Sequence, residues 1–111
     1  EGGFDPDCRR CMPWDEIDSE ENQERIGQMK KLIALRKSEV TFRSLHFHFP
    51  DHYANGRFVE YIKLDSEGNK IEILLNCSDA DEPVKGDGEI LFARRFHNGI
   101  LEKNGTLIRR I

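Results

Sequence analysis

The residues best suited to chemistry lie within the first fourteen positions of the chain. This stretch carries two carboxylates, two guanidinium groups and one indole, those of Asp5, Asp7, Arg9, Arg10 and Trp14. Carboxylates accept hydrogen bonds from hydroxyl groups, guanidiniums donate them, and the flat face of a tryptophan can cover a pyranose ring. The combination predicts a loop that contacts sugar. The alternative interpretation is an ordinary surface loop held by exposed ion pairs.

Glycine and proline set the backbone of this loop. Gly2 and Gly3 allow backbone angles that other residues avoid. Pro6 and Pro13 fix their own φ angles and bias the residues before them toward extended conformations. We therefore expect a loop that is stiffened at both ends.

Two of the three cysteines, Cys8 and Cys11, have the spacing of metal-binding and redox motifs. Further ligands could come from the four histidines, His46, His48, His52 and His97. The sequence contains no second cysteine pair, and no thioredoxin-like pattern surrounds the motif. We therefore predict no metal and no cofactor. An odd number of cysteines also argues against a disulfide framework and indicates a reducing compartment, so we expect a cytoplasmic protein.

Charge and length exclude several classes of protein. The 111 residues carry a net charge of −4, and nine acids against two arginines fall within residues 1–24. No basic stripe with interleaved aromatic residues predicts a nucleic-acid partner, and no run of about 18 apolar residues predicts a membrane span. The length fits one domain, or a small domain with a fragment of another. Because the first residue is not Met, we expect the chain to be cut from something longer.

A helix is predicted from about Ser19 to Lys37. Asp18 is the expected N-cap, with Glu21 three positions later as in a capping box. Apolar residues then recur at spacings of three and four, which predicts one buried face. These residues are Ile26, Met29, Leu32, Ile33 and Leu35.

The rest of the chain has the two-residue periodicity of strands. The expected strands are 41–49, 57–65, 70–77, 89–96 and 106–111, with tight turns at 66–69, 97–99 and 104–105. The hairpin formed by 57–65 and 70–77 is the clearest of these features. On its second strand, Cys77 continues an apolar face and is expected to be buried. His46 and His48 alternate on one strand face and are expected to be exposed.

This order of elements predicts a mainly β fold. Residues 42–111 form a small antiparallel β-sandwich, preceded by a loop and one long helix in residues 1–41. A single helix ahead of a sandwich is typical of the last unit of a (β/α)8 barrel followed by an appended domain. The N-terminal loop would then lie at the mouth of the barrel, where barrel enzymes bind their substrates.

The loop resembles a late signature of the α-amylase family of glycoside hydrolases, in its neopullulanase, cyclomaltodextrinase and maltogenic amylase branch. The family pattern is Gly-Gly-x-Asp-Pro-x-x-Arg-x-x-Met-x-Trp, and this chain matches it at Gly2, Gly3, Asp5, Pro6, Arg9, Met12 and Trp14. Residues 29–37 resemble the helix that ends the family's barrel. Residues 76–79 and 105–109 resemble parts of its C-terminal β-sandwich, so the resemblance covers nearly the whole chain.

The resemblance implies a part of an enzyme that hydrolyses or transfers α-1,4 and α-1,6 glucosidic bonds with retention. The family's catalytic carboxylates precede this signature, so the chain is expected to contain no catalytic residue and to be inactive alone. Asp5 and Arg9 match the pair that contacts an α-glucan or maltooligosaccharide. Asp7, Arg10 and Trp14 would support the loop rather than touch sugar.

Two further expectations follow. The alternative function is an autonomous carbohydrate-binding module, although the single Trp and two Tyr offer few aromatic platforms. The apolar face of the helix would lack its barrel partners, so it is expected either to fold back on the sandwich or to pair with a second copy. We therefore predict a homodimer or a higher oligomer.

Overall fold

The computed structural model describes residues 3–5, 7–9, 11–53 and 56–111. The chain divides into two compact units, Glu1–Lys31 and Leu32–Ile111. The predicted domain boundary between residues 41 and 42 stays a prediction. Within the described residues, no helix combines the length and apolar character required to cross a membrane.

Secondary structure follows the expected order of a loop, a helix and a run of strands. Helix α1 spans Glu20–Ser38, and the strands are β1 His46–His48, β2 Phe58–Leu64, β3 Lys70–Asn76, β4 Glu82–Pro83, β5 Glu89–His97 and β6 Ile100–Arg110. Short 3₁₀ helices occupy Asp7–Arg9, Trp14–Glu16 and Val40–Arg43.

Helix α1 begins one residue later than the sequence predicts. Ser19, not Asp18, accepts a hydrogen bond on its Oγ atom from the backbone N–H of Asn22, at 3.3 Å. The side-chain amides of Asn22 and Gln23 donate to the carbonyls of Glu16 and Ile17, both at 2.8 Å. The bond to Ser19 satisfies one of the backbone N–H groups that have no partner within the helix at its start.

All six strands belong to one antiparallel sheet in the order β1-β2-β3-β6-β4, with β5 also paired to β6. β6 is the central strand, because residues 106–110 pair with both β3 and β5. The β2–β3 hairpin pairs Phe58 with Asn76 at one end and Leu64 with Lys70 at the other. The predicted mainly β fold and its most distinct hairpin are confirmed.

The sheet buries apolar side chains on both faces. One core cluster contains Phe58, Leu74, Leu101 and Leu107. The other contains Ile71, Ile73 and Ile108, against which Leu32 and Leu35 of α1 and Phe42 pack. β3 contributes to both clusters because successive side chains of a strand point to opposite faces.

Only part of the predicted helix face is covered. Leu32 and Leu35 are half-buried, whereas Met29 is 58% exposed and Ile33 is 47% exposed. The prediction of one continuous buried face is therefore wrong for the side chains of Met29 and Ile33.

Local interactions override the periodic pattern at residues 41–49. Val40–Arg43 is a 3₁₀ turn, so only His46–His48 remain as a strand. Thr41 is buried and donates its hydroxyl hydrogen to Oδ2 of Asp65 at 2.8 Å, which stabilises the turn against the β2–β3 loop. His46 and His48 are exposed, as expected.

Two further predictions near strand ends are wrong. Asn104 and Gly105 do not form a turn but lie inside β6, where Asn104 has a φ of 58°. A Cβ atom on Gly105 would lie 2.9 Å from the carbonyl oxygen of Arg95, itself at positive φ in β5, so the two strands approach closely at an irregular pairing. Cys77 is exposed because β3 ends at Asn76, one residue before it.

Candidate functional site

The two predicted sugar-contacting residues, Asp5 and Arg9, lie next to each other. Nε of Arg9 is 3.0 Å from Oδ1 of Asp5, and the 3₁₀ turn Asp7–Arg9 provides the spacing that joins them. The Arg9 side chain is 76% exposed and that of Asp5 is 59% exposed. An ion pair this exposed contributes little to stability. It does present an acceptor and several donors side by side to solvent, which suits neighbouring hydroxyl groups.

Large apolar side chains surround this ion pair in the sequence and are also exposed. Phe4 is 94% exposed, Trp14 is 66% exposed and Met12 is 61% exposed. The backbone N–H of Trp14 donates to the carbonyl of Met12 at 2.9 Å, and Trp14 begins the 3₁₀ helix that precedes α1. The N-terminal unit therefore exposes both hydrogen-bonding and apolar surface, as a sugar-contacting segment requires.

Glu1, Gly2, Pro6 and Arg10 lie outside the described residues, as does the side chain of Asp7. The proposed stiffening by Gly2 and Pro6, and the supporting roles of Asp7 and Arg10, stay predictions.

The two cysteines of the loop are free and exposed. Sγ of Cys8 lies 3.9 Å from Oδ1 of Asp5, so this thiol is a weak partner of the ion pair. Among the described residues, neither Cys8 nor Cys11 belongs to a group with the geometry of a metal site. In the described part of the loop, both Arg9 and Cys8 contact the carboxylate of Asp5.

A second polar cluster, which the sequence did not predict, is buried in the β-sheet. Glu60 of β2 and Glu72 of β3 lie diagonally across the hairpin, since Glu60 pairs with Leu74 and Ile62 pairs with Glu72. Nδ1 of His52 is 2.8 Å from Oε1 of Glu60. Each glutamate occupies a position on a strand face that otherwise points into an apolar core. A charged residue at such a position is the sequence feature that could have indicated the cluster.

Arg109 of β6 completes the buried cluster. Its Nε donates to Oε2 of Glu72, and its two terminal nitrogens donate to the carbonyls of Gly86 at 2.7 Å and Lys85 at 2.6 Å. Burial raises the pKa of Glu60 above its ordinary value and the neighbouring Glu72 carboxylate raises it further, although the hydrogen bond with His52 lowers it. The buried cluster therefore holds two carboxylates and one arginine, and the arginine pairs with Glu72 while Glu60 contacts His52.

Comparison with known proteins finds relatives of this chain that are named cyclomaltodextrinase or maltogenic amylase. No family model matches it. It is 32% identical over 112 residues to a cyclomaltodextrinase of Thermoanaerobacter pseudethanolicus, covering 96% of this chain and 18% of that enzyme. It is 34% identical over 95 residues to a cyclomaltodextrinase of Geobacillus thermopakistaniensis, covering 81% of this chain and 16% of the relative. An intracellular maltogenic amylase of Bacillus subtilis is 49% identical over 41 residues, which are 37% of this chain and 7% of that protein.

A solved structure supports the fold. A protein of Salmonella typhimurium, assigned as an alpha amylase, matches 87% of this chain and 17% of its own length, with a TM-score of 0.68 and 18% identity. The chain thus spans less than a fifth of the length of these cyclomaltodextrinases and of this structural neighbour. The match to the Thermoanaerobacter enzyme extends over nearly the whole chain. The predicted resemblance is confirmed: the chain is a relative of the α-amylase family, on the side of its cyclomaltodextrinases and maltogenic amylases.

Proposed function

We propose that this chain is the C-terminal part of a retaining glycoside hydrolase that acts on α-glucans. The proposal is carried by the match to a cyclomaltodextrinase, which covers 96% of this chain. The Asp5–Arg9 contact of this chain agrees with it. In the proposed role the loop borders the substrate cleft and the β domain braces the barrel. We expect such an enzyme to be located in the cytoplasm.

Asp5 and Arg9 would position a sugar without breaking a bond. The carboxylate of Asp5 accepts hydrogen bonds from sugar hydroxyls, and the guanidinium of Arg9 donates to them. Retention requires a nucleophilic carboxylate and an acid/base carboxyl group about 5–5.5 Å apart. In the proposal those two groups belong to the preceding barrel, so the chain alone is inactive.

A chimeric enzyme tests this function. The matched segment of the Thermoanaerobacter cyclomaltodextrinase, 18% of that enzyme, is replaced by this chain. We expect the chimera to hydrolyse cyclomaltodextrin, whereas the enzyme truncated before the segment does not. A chimera that folds and stays inactive would contradict the proposal.

The alternative function, an autonomous carbohydrate-binding module, makes a different prediction. Trp14 is exposed, so its fluorescence would report sugar that binds near the loop. Titration of the chain with maltotriose should give no micromolar binding if the loop is only one wall of a cleft. Micromolar binding by the chain alone would favour the module.

We also propose that exposed apolar residues of α1 pair two copies of the chain. Met29 and Ile33 lie four residues apart on the helix and are both exposed, although Leu32 and Leu35 are half-buried. We expect sedimentation velocity to show a dimer that the double substitution Met29→Glu and Ile33→Glu converts to a monomer. The exposed charge change Gln28→Glu with Lys30→Gln is the control and should leave the dimer intact. A wild-type monomer would contradict the proposal.

A further inference from the structure

Three residues of the β domain have the donor set and spacing of a metal site. They are His52, ahead of β2, Glu60 on β2 and Glu72 on β3, and one ligand atom of each lies within 4.8 Å of the other two. The sheet fixes the two glutamates because they are diagonal neighbours on one face of a hydrogen-bonded hairpin. Two of the three ligands therefore come from paired strands, and His52 comes from the turn ahead of β2.

The burial of Glu60 points to a missing partner. Glu60 is only 6% exposed and Glu72 only 3% exposed. Oε1 of Glu60 contacts His52, but its Oε2 is buried and has no hydrogen-bond partner among the described residues. A buried carboxylate oxygen without a partner is costly, so a group that binds it would stabilise the fold.

The charges around the cluster leave one negative charge uncompensated. Arg109 donates to Oε2 of Glu72 and balances one of the two carboxylates. Lys85 directs its Nζ to the carbonyl of His52 at 3.0 Å and lies above the ring of Tyr53, so it is not bonded to either glutamate. The other carboxylate, that of Glu60, needs a proton, its own or that of His52, or a bound cation.

Solvent can reach the cluster. A cavity of 380 Å³ is lined by His52 and Glu72, together with Tyr53, Lys85, Asp87 and Arg109. His52 is 58% exposed at its side chain, so its imidazole closes the outer side of the cluster. An ion could therefore enter from the cavity and keep a water molecule as a further ligand.

We propose that His52, Glu60 and Glu72 bind a divalent transition-metal ion, with Zn²⁺ the best-suited ion. One imidazole and two carboxylates, with a position open to water, are a ligand set that Zn²⁺ accepts at tetrahedral geometry. Ca²⁺ fits less well because it prefers six to eight oxygen ligands. Arg109 would then act on the metal indirectly, by orienting the Glu72 carboxylate. This site lies outside the cysteine motif and does not depend on the proposed glycosidase function.

The test is a titration of the chain with Zn²⁺ by isothermal calorimetry. Free thiols compete for Zn²⁺, and Cys8, Cys11 and Cys77 are all free and exposed, so the starting protein carries Cys8→Ser, Cys11→Ser and Cys77→Ser. We expect one Zn²⁺ per chain. In this background Glu60→Gln removes a proposed ligand and should weaken binding by more than the about 10-fold that the loss of a supporting group can cause.

Two further variants keep the test decisive. Glu60→Gln keeps the shape of the side chain, and its amide can donate to Glu72, so circular dichroism should show an intact fold. If it unfolds, His52→Asn decides, because His52 is exposed and its loss should abolish binding without disturbing the sheet. The matched control is Glu102→Gln at the exposed pair of His97 and Glu102, 3.6 Å apart, which should leave Zn²⁺ binding unchanged.

Each outcome bears on the proposal. Stoichiometric binding that is lost in Glu60→Gln or His52→Asn and kept in Glu102→Gln supports it. No binding by the cysteine-free chain overturns it. Binding that survives both cluster substitutions also overturns it.

Discussion

Carboxylates and guanidiniums meet in two regions of this chain, in opposite surroundings. In the N-terminal loop, Asp5 and Arg9 are both mostly exposed. In the β domain, Glu72 and Arg109 are almost fully buried, and Glu60 adds a second carboxylate. Water screens the first pair, whereas the second pair is desolvated and depends on its hydrogen bonds. A carboxylate–guanidinium pair in the loop is therefore accessible to a ligand, whereas the pair in the sheet contributes to the stability of the fold.

The largest effect expected from this comparison concerns the buried pair. Arg109→Met should lower the free energy of unfolding by about 3–5 kcal/mol, because it leaves Glu72 charged and buried without its partner. Urea unfolding followed by circular dichroism measures the change. A loss below about 1 kcal/mol, the range of exposed ion pairs, would show that the buried network is not structural.

The second carboxylate of the buried cluster should behave in the opposite way. The folded-state pKa of Glu60 is raised, so its charged form destabilises the fold as pH rises above the ordinary value near 4.5. Without metal, Glu60→Gln should therefore increase stability at pH 7, and the gain should vanish as pH falls below 4.5. Urea unfolding at several pH values measures this. A destabilised variant at pH 7 would contradict the raised pKa.

Acid should affect a different carboxylate in the reverse direction. Hydrogen bonds from Asn69, and then from Thr41, lower the pKa of Asp65 from 3.8 to about 2. Its contribution to stability is present above pH 3.8 and is lost as pH falls toward 2. Asp65→Asn should therefore be less stable than the wild type at pH 7, and the difference should shrink over that range. A difference independent of pH would contradict the assignment.

The smallest expected effect is in the loop. Arg9→Met removes the partner of Asp5 but should change the free energy of unfolding by at most about 0.5 kcal/mol, since both side chains are exposed. The same urea experiment used for Arg109→Met measures it. A loss as large as that of Arg109→Met would show that the loop pair is structural and would remove the main reason to assign it to a ligand.

Local pattern was sufficient for the parts of the fold that are periodic. The β2–β3 hairpin could be predicted because alternating apolar residues flank a turn rich in Gly and Asn. The place of Asn104 inside β6 could not be predicted, because an Asn that adopts positive φ suits a turn and a strand irregularity equally. Only the pairing of β6 with β5 distinguishes the two. Val40–Arg43 has an alternating pattern but forms a 3₁₀ turn, which is stabilised by a hydrogen bond between Thr41 and Asp65, residues far apart in sequence.

The two candidate sites differ in the same way. Asp5 and Arg9 are four residues apart in a recognisable signature, so sequence alone was sufficient to nominate them. Glu60, Glu72 and Arg109 come together only through the pairing of β2, β3 and β6. A charged residue at an apolar strand position is a warning of such a cluster, but strand register is needed to identify its partners.

The central claim is that Asp5 and Arg9 contact sugar in a glycosidase cleft. The direct measurement is kcat/KM for cyclomaltodextrin in the chimeric enzyme that carries this chain, with Asp5→Asn and Arg9→Met introduced separately. The control is Arg25→Met, which breaks the exposed pair with Glu21 on α1, of the same spacing and similar exposure. We predict that each loop substitution lowers kcat/KM by at least about 10-fold, the effect of losing about 1.4 kcal/mol of binding, while Arg25→Met leaves it unchanged. Equal kinetics in all four enzymes would contradict the account.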